Sequence, residues 1–172
     1  MRKDALAKLD AAHAAIADAF AAMPDDALAW LKPGDDYAIG GVAIHLVQSL
    51  DGYISTLAAI DATGYRDTEG PGEDEKIVDA QLARARRGVS AAERASTFGE
   101  MQAKHERLAA LARKPSDAQF DALVGVTYPG DEAPYPTSVA LVVQWMTEHY
   151  AEHVPHVQTL YTQWKMAADA HR

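Results

Sequence analysis

Three histidines fall within eight positions in MTEHYAEHVPHV, residues 146–157, of a chain that has seven in all. Imidazole can hold a divalent transition metal or move a proton near neutral pH, so the spacing decides the chemistry. If this stretch is helical, His149 and His153 lie four residues apart and stand one above the other on the helix surface. Both rings can then converge on one ion, as in the helical H-E-x-x-H zinc motif. At about 100° per residue, Val142, Trp145, Met146, His149, His153, His156, Leu160 and Trp164 share one face. The histidines are therefore expected on the apolar, inward stripe. A lone inward histidine is more often a satisfied core residue than a ligand. Two in register are harder to bury without a shared partner.

H-x-x-x-H needs a third ligand from elsewhere in the chain, and His45 in YAIGGVAIHLVQSLDGYI is the candidate. On that segment Ile44, Val47, Leu50, Ile54 and Leu57 form the main core face. His45 lies roughly opposite Val47, with Ala38, Gly41, Val42, Ser49, Gly52 and Thr56. Small residues around one imidazole leave room for an ion and a ligand; the competing reading is that they only let helices pack closely. His13 stands in an alanine-rich stretch, His105 in a charged one and His171 at the terminus, and all three are expected at the surface. His156 follows Pro155, which cannot donate to the carbonyl of Ala151 and should kink or loosen the helix. It is assigned a role beside the ligands or against substrate. Glu148 and Glu152 flank the stripe and, with His156, are the candidates for proton transfer, although solvated helix carboxylates are the commoner case.

The elements that must position these residues are helices. Ala, Leu, Glu, Gln and Arg dominate long stretches, and β-branched alternation is scarce. The pattern predicts an all-α single domain over 1–172, a four-helix bundle with long crossover connections. The first helix spans about 3–22 and the second about 38–62. A third begins near Asp74 and breaks at RRGVSAAE, where Gly88 ends one piece and Ser90 with Glu93 caps the next, which runs to about Arg113. PSDAQFDAL reads as a short helix capped by Ser116, and VGVTYPGDEAPYP as a turn-rich crossing loop. The fourth helix starts near Thr137 or Ser138 and reaches about Ala168. Loops 24–37, 63–74 and 124–137 are expected to line the opening of the site with Trp30, Tyr37, Tyr65, Tyr128 and Tyr135.

Composition removes several alternatives. There is no cysteine, hence no disulfide framework, thiolate zinc site, iron–sulfur cluster or cysteine nucleophile. The net charge is −9 and the longest basic cluster is RARR at 84–87, which disfavours nucleic acid as a partner. No stretch approaches the roughly 18 apolar residues of a membrane span. Charges at Asp4, Lys8, Asp10 and Asp18 break up any signal-peptide core, so a cytoplasmic protein is expected. Three tryptophans and several tyrosines suggest an aromatic surface for self-association.

AIHLVQSLDGYI and EHYAEHVPHVQTL, with the intervening DEKIVDAQLARARRGVSAAERASTFGEMQAKHERLAAL, resemble the DinB/YfiT-like superfamily of metalloenzymes, in its maleylpyruvate-isomerase-like and thiol S-transferase branch. The resemblance implies a four-helix bundle with long crossovers, often homodimeric. It also implies a divalent metal, commonly zinc or nickel, held by one histidine on the second helix and H-x-x-x-H on the fourth: His45, His149 and His153. Some relatives are S-transferases or isomerases that use a low-molecular-weight thiol. Two departures stand out. Many relatives have glutamine where this chain has His156, and the isomerases have a carboxylate where His149 stands. The expectation is a metal-dependent enzyme that activates a thiol cosubstrate or water against a small-molecule substrate. The alternative is a non-catalytic metal-binding helical dimer serving as a binding or stress-response protein.

Overall fold

The structure, a computed structural model, describes residues 2–72 and 75–170. Among the described residues, seven helices and three short strands follow one another as α1 (Arg2–Ala21), α2 (Asp25–Leu28), α3 (Ile39–Ala62), β1 (Thr68–Glu69), α4 (Glu75–Arg87), α5 (Ala91–Arg113), α6 (Asp117–Asp121), β2 (Val124–Thr127), β3 (Tyr135–Thr137) and α7 (Val139–Ala170). Among them α1, α3, α5 and α7 are long, at 20, 24, 23 and 32 residues. The bundle expected from the sequence is present.

Local chemistry sets the ends of the pieces. Ser90 and Glu93 cap α5 reciprocally, and Ser116 and Gln119 do the same for α6; each pair satisfies amide donors that the first turn leaves free. Gly88 takes a left-handed φ of +79° between α4 and α5, a conformation that glycine adopts without steric cost. The predicted start of the third helix at Asp74 lies outside the described residues, and α4 is defined from Glu75.

Packing explains why the connections are long. Helix α1 packs along α7, α3 along α5, and α3 is flanked by α4 and α7. The links α1→α3 and α5→α7 thus join helices that are not principal neighbours, which is what a crossover connection does. The core is continuous, with Leu9, Ile16, Leu46, Leu50, Met101, Leu108, Val142, Met146 and Tyr150 all fully or nearly fully buried.

Two expectations need correction. The stretch 124–137 is not simply a crossing loop. Val124 and Val126 alternate as buried residues along β2, which pairs antiparallel with β3 and parallel with β1. The alternation spans only four residues, too few to outweigh the surrounding turn residues. The resulting sheet ties the 63–74 connection to the 124–137 connection. The inward face of α7 is also rotated from the predicted stripe. Its buried residues are Val139, Val142, Val143, Met146, Tyr150, Val157 and Leu160, while His149 and His153 are half-buried at one edge and His156 is exposed. Pro155 lies inside α7, which continues through it. Pro155 and Ala151 are both exposed, so water can satisfy the carbonyl that the proline leaves without a donor.

Candidate metal centre

Helices α3 and α7 run side by side where His45 meets His149 and His153. Nε2 of His45 lies 2.9 Å from Nε2 of His149, and the ring of His45 is 5.4 Å from that of His153, centroid to centroid. One ligating atom from each of the three falls within 4.8 Å of the other two. Among the described residues, no fourth histidine or carboxylate meets the same spacing. Without an ion, the 2.9 Å contact is a hydrogen bond in which one imidazole donates to the other's lone pair. A tetrahedral ion with about 2.0–2.1 Å bonds to nitrogen separates two ligand nitrogens by roughly 3.3 Å, so a small outward turn of one ring accommodates it.

The electrostatics suit a cation. Burial pushes the pKa of His45 down, helped by His149 and opposed by Glu152. Burial also lowers that of His149, again opposed by Glu152. His153 is lowered to about 4, by burial first and then by His149, His45 and His156. All three rings are neutral at pH 7 and present lone pairs, the form that binds metal. Three imidazoles suit zinc, copper, iron or nickel better than magnesium or calcium, so the residues present fit a divalent transition metal.

The surroundings divide the predicted site residues. Nδ1 of His156 lies 3.3 Å from Nδ1 of His153, so His156 touches a candidate ligand. Such a contact orients a ligand ring. Glu152 is exposed but acts on both His45 and His149. Glu148 is exposed and accepts a 2.8 Å hydrogen bond from Gln144 Nε2. Tyr37 stacks on His45 at 5.2 Å and 18°. Tyr135 approaches Trp145 at 6.1 Å, and the Tyr128 hydroxyl lies 3.4 Å from that of Thr56. Tyr65 is elsewhere: it donates to Asp61 and faces a hollow formed by 62–67 with 123–124. Trp30 packs partly against the core. Tyr53 was missed. It sits 6.4 Å from Trp145, and burial, Tyr128 and Glu148 raise its pKa. Its position eight residues after His45, with Ser49 between, was the available signal.

The small residues near His45 serve two purposes. A Cβ on Gly41 would stand 1.9 Å from the carbonyl oxygen of Ala85, so Gly41 admits the backbone of α4, whereas nothing lies within 4 Å of the corresponding point on Gly52. Close packing explains the first and open space the second.

His13 and His105 are not at the surface. They are only 6% and 5% exposed and stack at 4.0 Å, with Tyr150 against both. Nε2 of His105 shares a hydrogen bond of 3.1 Å with Asp10. His171 lies outside the described residues.

Comparison with known proteins agrees with this architecture. The solved structure of YfiT from Bacillus subtilis, described as a probable metal-dependent hydrolase with an unusual four-helix bundle topology, matches with a TM-score of 0.67 at 19% identity, covering 95% of this chain and 87% of that one. At that identity the likeness concerns the fold. No curated protein matches the sequence. The family model of the DinB superfamily matches residues 8–157. With that match over most of its length, the chain belongs to the DinB superfamily.

Proposed function

We propose that the protein is a metal-dependent enzyme in which His45, His149 and His153 hold one divalent ion, zinc or nickel, and a small organic substrate meets its open side. The observation that carries this reading is the convergence of three neutral imidazoles within 4.8 Å with no fourth protein ligand among the described residues. A structural site is normally closed by a fourth ligand, whereas a catalytic site keeps a position open. An ion held there supplies Lewis acidity, which makes a water or a thiol at the open position a nucleophile near neutral pH.

The remaining steps belong to side chains. His156 orients His153, and Tyr37 holds the plane of His45 by stacking. Glu152, whose charge acts on His45 and His149, is the group we assign to take the proton released by the nucleophile. Glu148 is partly engaged by Gln144. The chain has no cysteine, so a thiol would arrive as a low-molecular-weight cosubstrate. Water as nucleophile gives hydrolysis, the activity in the description of YfiT; an external thiol gives S-transfer.

Elemental analysis of the purified protein tests the assignment. The wild type is expected to carry about one equivalent of divalent metal, and His45→Ala to lose most of it, at least tenfold in affinity. Equal metal content in the two proteins would remove the triad. A screen of ester and amide substrates beside thiol–electrophile pairs then separates the two nucleophiles.

A further inference from the structure

Helix α1 packs along α7 and α5 along α3, so α1 and α5 meet only lightly, and a surface hollow of about 510 Å³ opens between them. That volume falls within the range of small-molecule sites. Short side chains leave the room: Ala14 and Ala17 from α1 and Ala109 from α5 belong to the lining. So do His13 and His105, which stack at 4.0 Å and are only 6% and 5% exposed. Each has a buried ring nitrogen with no hydrogen-bond partner among the described residues, Nε2 of His13 and Nδ1 of His105. Buried polar atoms are ordinarily paired, so this lining holds unused hydrogen-bonding capacity.

That capacity is one-sided. The carboxylate of Asp10 can only accept, so at 3.1 Å Nε2 of His105 is the donor, and the neutral ring keeps a lone pair on Nδ1. Three carboxylates, Asp10, Asp18 and Glu106, stand in the lining against one guanidinium, and that group, on Arg113, already lies 3.4 Å from Asp10. Asp18 and Glu106 are exposed, and one oxygen of Glu106 accepts a 2.7 Å hydrogen bond from Gln102. The hollow thus offers acceptors and negative charge, and a complementary guest brings donors and positive charge. We propose that the hollow between α1 and α5 binds a small organic cation, an amidinium, guanidinium or primary ammonium on a compact apolar body, with its charge against Asp18 and Glu106 and its body over the alanines and imidazoles. A planar amidinium suits the carboxylates best, since its N–H groups donate in parallel to both oxygens. The proposal does not rest on the metal-dependent reading, because none of these residues belongs to the triad.

Benzamidine, benzamide and benzoate test it, since they share a ring and differ in a cationic, neutral or anionic head group. Each is titrated into the full-length protein at neutral pH and low salt, and the imidazole proton resonances report both affinity and place. Benzamidine is expected to bind about tenfold more tightly than benzamide, with shifts at His13 and His105, and benzoate to bind more weakly than either. The double variant Asp18→Asn, Glu106→Gln changes only exposed side chains, and should weaken benzamidine by about fivefold while leaving benzamide unchanged. Ala14→Leu, at another exposed position of the lining, should fill the hollow and weaken both compounds. Benzamide that binds as tightly as benzamidine overturns the proposal, as does a double variant with wild-type affinity. Absence of any shift at His13 and His105 overturns it too, and shifts confined to His45, His149 and His153 would assign the cation to the triad instead.

Discussion

Histidine behaves in two ways in this molecule, and burial among different neighbours is the reason. At the triad, three lone pairs converge at the edge of the core. At the stacked pair, His13 and His105 sit inside it with Tyr150. Burial lowers the pKa of His13 to about 4, reinforced by His105 and opposed by Asp10 and Glu106. His105 is lowered too, burial outweighing the hydrogen bond and charge of Asp10, with Arg113 assisting and Glu106 opposing. The folded state therefore prefers both rings neutral, and the unfolded chain binds protons more readily. The contribution of His13 is fully present above its unfolded value of about 6.5. It is lost as pH falls from there towards 4, to the extent of on the order of 3 kcal/mol. Urea unfolding of metal-free protein between pH 7 and 4 should show stability falling with acid, with a shallower fall in His13→Gln than in wild type. Identical slopes would show that His13 does not remain neutral in the fold. Both residues lie on legible periodic faces, Leu6, Leu9, His13, Ile16, Phe20 and Met101, His105, Leu108, Ala112, all buried. A polar residue inside an alanine-rich or charged stretch read as surface because its type outweighed its position.

Helix ends, helix contacts and the sheet show how far local pattern carries. The caps at Ser90 and Ser116 were legible because each depends on side chains three residues apart. Strands β1 to β3 were not, since two to four residues hold too little alternation and β1 pairs with a segment far along the chain, Thr68 opposite Val126. The histidine spacing on α7 was legible, but the rotation of its buried face was not, because α1 and α3 together decide which edge is covered. Glycine gives a test at this scale. In a helix interior, Gly→Ala ordinarily stabilises by about 1 kcal/mol, as expected for Gly99, where a Cβ meets nothing within 4 Å. Gly41→Ala should have the opposite sign. Its Cβ would meet the carbonyl oxygen and carbon of Ala85 at 1.9 and 2.7 Å, and backbone on a packed helix can yield only by moving α4 away. Overpacking of this kind costs about 1–3 kcal/mol or more. Denaturant midpoints of the two variants should move in opposite directions from wild type; a stable Gly41→Ala would mean that α3 and α4 are not held this close.

For the whole molecule, the question is whether the ion builds the fold or uses it. The triad lies at the edge of α3 and α7, with all three rings half-buried. The core that joins the helices is independent of it: Leu9, Ile16, Leu50, Met101, Leu108, Val142 and Met146 are buried without any contribution from a ligand. Each fully buried large aliphatic side chain contributes roughly 1.5–3 kcal/mol, so the apolar contacts far exceed what one site can add. Binding to the folded state alone would add about 4 kcal/mol at a thousandfold excess over the dissociation constant. In a domain of this size each kilocalorie raises the melting temperature by roughly 2–4 °C. Chelation should therefore lower the melting temperature by up to about 15 °C while the far-ultraviolet helical signal at room temperature stays within a few per cent of the loaded protein. His149→Ala should behave like the chelated wild type: folded, metal-poor and inactive. An apo-protein that loses its helical signal would show that the ion is part of the core. In that case the ion would be largely structural, and the metal-dependent enzyme reading would lose its main support.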